Sequence, residues 1–199
     1  MTTIRSLTLC VILGILSSPA MADPVADTFL KQVDLVEHDL VGLARAMPAD
    51  AYDFRPTSGA FEGVRTFGEQ VKHAATMIFM TAAIVLQEKS PYGPGPNDNG
   101  PSDVQGKERI VAYLEDSIRY ARKAMASLTK ANQLDPLTTY FGSQPRIEVA
   151  AGVAYHSYNH YGQMVVYARM KGIVPPRAAE KGTSRSPRGW GRIALILMS

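Results

Sequence analysis

His156 and His160 stand four residues apart in the stretch AYHSYNHYGQMVVYARMKGIVPP, Ala154–Pro176. On a helix this spacing puts both rings on one face, one turn apart, where they can hold one ion between them. Surface pairs of this kind are common, so their surroundings carry the argument. Steps of four and three through the pair collect Val149, Val153, His156, His160, Gln163, Tyr167 and Met170. That is the apolar seam of a bundle helix with a polar middle. A buried imidazole without a partner is costly, so the seam needs either hydrogen bonds or a metal.

A third histidine suits the second option. Steps through His73 collect Thr66, Gln70, His73, Met77, Met80, Ile84 and Gln87, so His73 faces inward on another helix. Three neutral imidazoles around a divalent ion leave at least one position open, the pattern of catalytic rather than structural zinc. A hydrogen-bonded polar core satisfies the same spacing, and the residues alone leave both readings standing. His38 differs. It lies opposite the apolar stripe of its helix between Glu37 and Asp39, and is expected to be solvated and not a ligand.

Two further residues are candidates for supporting roles. Gln163 follows His160 by one turn and can orient a ligand or a bound water. Glu69 precedes His73 by one turn and can serve as a base or fourth ligand, but Thr66 and Glu69 also form a T-x-x-E capping box, which is the favoured reading. Met77, Met80 and Met164 are expected to fill core. Tyr155 and Tyr161 leave the seam.

The elements that must position these residues are helices. Apolar periodicity predicts four: Pro24–Met47, Phe67–Glu88, Val104–Leu128 and Arg146–Lys171. Pro48 and Gly172 are stop signals, and Pro145 precedes the last helix. No strand pattern or internal repeat is evident. The expected fold is an all-α four-helix bundle with long loops. The loop segment NDNG, Asn97–Gly100, resembles half of a calcium loop, but Gly95 and Gly106 occupy positions where acidic ligands are needed. It reads as a turn-rich loop.

Both ends differ from this domain. Residues 1–22 combine Arg5, an apolar run over Leu7–Leu16 and small residues at Ala20 and Ala22, which reads as a secretory signal peptide cleaved after Ala22. Export to the periplasm or medium follows as an expectation, with no stable membrane span after cleavage. The one cysteine, Cys10, would leave with the signal, so a metal site would rest on His, Asp and Glu. Residues 177–199 are basic, then apolar, and are expected to be an irregular tail. The domain is thus 23–176. Its 15 Lys/Arg and 17 Asp/Glu make it slightly acidic despite a whole-chain charge of +3, which opposes nucleic-acid binding.

The segments RTFGEQVKHAA and HSYNHYGQMVVYARMKGIVPP, in this order, resemble the DinB family over roughly Pro24–Pro176. The H-x-x-x-H-x-G-Q block and the closing Pro-Pro carry the likeness. The resemblance implies a four-helix bundle in which His73, His156 and His160 bind one divalent metal ion. Zinc, nickel and iron are candidates, since imidazole accepts all three. The wider superfamily includes thiol-dependent transferases and isomerases, so the resemblance implies a metal-dependent transferase or hydrolase acting on a small molecule. Export weighs against the thiol version. The alternative is a non-enzymatic metal- or ligand-binding bundle, because no cluster of acid, base and substrate-binding residues stands out. A homodimer is a further expectation of this architecture.

Overall fold

Asp23 opens the first helix: its carboxylate accepts from the Val25 N–H at 2.9 Å, and Pro24 takes the first helical position. The computed structural model describes residues 23–183, and the expected signal peptide lies outside them. Helix α1 (Pro24–Val36) continues into a π-helical turn (Glu37–Val41) and then α2 (Gly42–Ala46). Helices α3 (Phe67–Leu86), α4 (Lys107–Ala126) and α5 (Arg146–Met170) follow, and α6 (Pro176–Thr183) closes the described chain. The structure is mostly helical, and none of the described helices is long and apolar enough to cross a membrane.

The long helices close a ring. α3 packs on α4 and α5, and α1 packs on the same two from the other side. Leu40, Leu43, Phe67, Ile78, Leu114, Ile118, Met125 and Met164 are fully buried between them. Met77 and Met80, expected as core, are only half-buried. The wide buried face of α3 runs instead through Ala74, Ala75, Ile78 and Ala82, and its alanines let neighbouring helices approach closely.

Three local features depart from the periodic reading. The first helical segment is interrupted by the π turn, which buries Asp39, Leu40 and Val41 in succession. A regular stripe cannot do that, and so Asp39, expected beside a solvated His38, is 2 % exposed. α4 begins at Lys107 rather than Val104, because Gly106 at φ 78° breaks helical geometry just before it. A hairpin, β1 (Pro136–Thr139) with β2 (Gly142–Pro145), pairs Leu137 with Gln144 and Thr138 with Ser143. Strands of four residues are too short to show alternation, and only Leu137 is buried.

The segment expected to be an irregular tail begins with α6. Asp39 ties it down: the Arg177 guanidinium donates to its carboxylate, as does the Tyr158 hydroxyl at 3.1 Å. His38 Nδ1 donates to the other carboxylate oxygen at 3.0 Å, while its Nε2 lies 3.2 Å from Glu180.

Candidate metal centre

The capping box fixes where α3 starts. The Glu69 N–H donates to the Thr66 hydroxyl at 3.2 Å, and the Thr66 N–H donates to the Glu69 carboxylate at 2.7 Å. Seven residues into the chain from this cap comes His73, 7 % exposed. Arg146 sets α5 against α3: its guanidinium donates to the Val85 carbonyl and to Gln87 Oε1, the latter at 3.0 Å. At the other end of the pair Gln70 Nε2 donates to Gln163 Oε1 at 3.0 Å. The two helices are therefore antiparallel, with His156 and His160 carried past His73 in the middle of their contact.

The three rings converge. Each of His73, His156 and His160 offers one nitrogen, and these nitrogens all lie within 4.8 Å of one another. The Nε2 atoms of His156 and His73 are 3.3 Å apart. Ring centroids are 4.6 Å apart for His160 with either partner and 5.3 Å for His73 with His156. Two nitrogens of a tetrahedral zinc site at 2.0–2.1 Å from the ion are separated by about 3.3–3.4 Å. Among the described residues no carboxylate joins this group.

Protein acceptors orient two of the rings. His73 Nδ1 donates to the Asp98 carbonyl at 2.9 Å, and His160 Nδ1 donates to Gln70 Oε1 at 2.6 Å. These assignments follow from acceptors that cannot donate. In a neutral imidazole they leave Nε2 with its lone pair free to ligate. His73 Nε2 then faces His156 Nε2 as an acceptor. Without an ion, His156 must present a proton there; with one, both lone pairs point at it.

All three rings resist protonation. Burial is the main cause for each, and the Arg65 guanidinium adds to it; His156 and His160 also feel the repulsion of charged neighbouring rings, while the bond to the Asp98 carbonyl partly offsets the effect at His73. The net effect lowers His73, brings His156 down to about 4 and His160 down to about 3. Neutral imidazole at ordinary pH is the form that ligates metal.

The other candidate residues fall outside the centre. Gln163 is exposed and touches no histidine of the group; it positions Gln70, and Gln70 holds His160. Glu69 is occupied by the capping box. His38 sits with Asp39 on the opposite side of α5. Gln70 was visible on the His73 stripe as a polar residue at a core position, a signal that sequence reasoning passed over. The Asp98 carbonyl had no side-chain signature at all: it is delivered by the NDNG turn, in which Asn97 and Asp98 both adopt positive φ.

The comparisons bear on the family and the fold. The DinB superfamily sequence model matches residues 32–164. A DinB-like protein from Bacillus cereus ATCC 10987 superposes with a TM-score of 0.57 at 16 % identity, covering 75 % of this chain and 95 % of its own. A putative DinB family member from Exiguobacterium sibiricum 255-15 gives 0.56 at 20 % identity, covering 76 % and 95 %. At these identities the likeness concerns fold. No curated protein matches the chain. The family match includes His73 on α3 and His156 and His160 on α5, and the chain belongs to the DinB superfamily.

Proposed function

We propose that the protein is an exported four-helix-bundle metalloprotein in which His73, His156 and His160 bind one divalent ion and leave a coordination position for a small molecule. The observation that carries this reading is the pairing of convergence with orientation. Three nitrogens meet within 4.8 Å, and two of the rings are held by acceptors that turn their lone pairs inward. A polar core built only for hydrogen bonding has no need to aim lone pairs at one another.

Such an ion supplies Lewis acidity and activates a bound nucleophile. The residues of the chain hold it and set its surroundings. His73 and His160 keep fixed tautomers, held by the Asp98 carbonyl and by Gln70. A metal-dependent transferase or hydrolase is the enzymatic form of this proposal. A second form is a non-enzymatic binding protein, in keeping with a described ligand group made of imidazoles without a carboxylate. Export rests on the residues before Asp23. Cleavage after Ala22 would leave the Asp23 cap of α1 intact.

Elemental analysis tests the proposal. Untagged protein from Asp23 onward, offered zinc, nickel or iron and then dialysed, is expected to hold close to one ion per chain. The His156→Ala variant is expected to hold none. No ion in the unaltered protein sinks the reading.

A further inference from the structure

The centre is electrically one-sided. Three neutral imidazoles and a divalent ion form a cationic site, and none of the described carboxylates belongs to the cluster. Compensation must come from what binds there, since an unbalanced charge in a partly buried place is costly.

One more cation stands beside it. Arg65 immediately precedes the Thr66 cap, so the rigid start of α3 fixes its backbone. Its Nε donates to Asn99 Oδ1 at 2.8 Å and its Nη2 to the Asn97 carbonyl at 2.8 Å. These residues flank Asp98, whose carbonyl holds His73. Arg65 is thereby pinned to the turn that orients a ligand ring. No described carboxylate pairs with it, and no described residue accepts from its Nη1. A half-buried guanidinium with donors to spare next to a cationic centre is an oxyanion receptor, because its planar fork matches carboxylate and phosphate geometry.

We propose that the small molecule bound at the three-histidine centre carries an oxyanion, a carboxylate or phosphoryl group, and that Arg65 binds this group beside the metal. This rests on the metal reading above. The competing role for Arg65 is a strut that merely holds the 97–99 turn in place.

Cobalt-loaded protein distinguishes these roles, because its visible absorption reports ligands entering the coordination sphere. Acetate and methylphosphonate are titrated as anionic probes and imidazole as a neutral one, into wild type, Arg65→Met and Arg65→Lys. At saturating cobalt the expected result is full cobalt loading of all three proteins, at least roughly tenfold weaker binding of both anions to Arg65→Met, imidazole affinity unchanged, and partial recovery in Arg65→Lys. Anion affinity in Arg65→Met equal to wild type overturns the proposal. So does a parallel loss of imidazole binding or of cobalt in that variant, which marks a strut. Wild-type protein that takes up no cobalt overturns the metal reading and this proposal together. Cobalt uptake with anion binding indifferent to Arg65 overturns this proposal alone.

Discussion

Gln70 on α3 accepts a 2.6 Å hydrogen bond from His160 Nδ1 on α5, 90 residues away in sequence. Its amide nitrogen in turn donates to Gln163. The bond fixes both the tautomer and the tilt of His160. Replacing Gln70 with Leu is expected to weaken metal binding roughly 10–100-fold, the usual cost of losing an outer-shell partner. Gln163→Ala, which only loosens Gln70, is expected to cost far less. Competition with a chelator of known affinity measures both, and equal affinities for Gln70→Leu and wild type would refute the assignment.

Acid is expected to destabilise the metal-free protein. His156 and His160 titrate near 4 and 3 when folded, and His73 is lowered too, against about 6.5 for a free imidazole. The folded state therefore binds fewer protons than the unfolded chain at intermediate pH. The stability this confers is complete above about pH 6.5 and is lost as pH falls through the folded values. His38 works in the opposite sense, because its bond to Asp39 raises it; its effect is present below pH 6.5 and fades above, and its exposure keeps that effect small. Thermal melts of metal-free protein should show Tm falling from pH 6.5 to 4, with a shallower fall in His160→Ala. A flat profile over that range would count against buried neutral histidines.

Gly100 ends the turn that presents the Asp98 carbonyl. It sits at φ 72°, and a Cβ there would lie 2.5 Å from Thr76 Oγ1 and 2.9 Å from the Tyr113 hydroxyl. Gly100→Ala is expected to destabilise the fold by about 2–3 kcal/mol, from backbone strain and overpacking. It should also weaken metal uptake as the turn shifts from His73. Gly93→Ala is the control, since a Cβ there meets open space. Urea unfolding and metal titration of both variants check this.

Asp39 anchors α6 through Arg177 while its carboxylate is almost wholly enclosed. Asp39→Ala is expected to cost about 2–3 kcal/mol, because Tyr158 and His38 lose their acceptor. Arg177→Ala should also lower the unfolding midpoint and speed proteolytic cleavage within 176–183. Arg119→Ala, which breaks only the exposed pair with Asp116, should do neither. Indistinguishable cleavage rates for Arg177→Ala and Arg119→Ala would show that α6 is held by something else.

Helix positions and the inward turn of the three histidines were legible because both are encoded in spacing. His73, His156 and His160 each fall on a 3.6-residue stripe, and the structure brings them together. The stripe overstated their depth. Gln163 and Met170 lie on it yet are exposed, while Tyr167 between them is buried. What spacing could not encode was backbone chemistry. The Asp98 carbonyl reaches His73 through two residues at positive φ, and the π turn buries Asp39 by adding a residue to a helical turn. The hairpin was invisible for a different reason: its strands are too short for a period to emerge.

The histidines that meet at the centre come from helices 83 residues apart. An ion bound by all three would close that span into a loop, much as a disulfide does. It would restrict the unfolded chain as well as secure the folded one. Cys10 is the only cysteine, so the chain cannot form an internal sulfur bridge of its own. Loaded with an ion, the centre would also be a reversible crosslink. Chelation of metal-loaded protein should then accelerate unfolding, not merely empty a site, and the lifetime of the loaded fold would be set by how tightly it holds an ion.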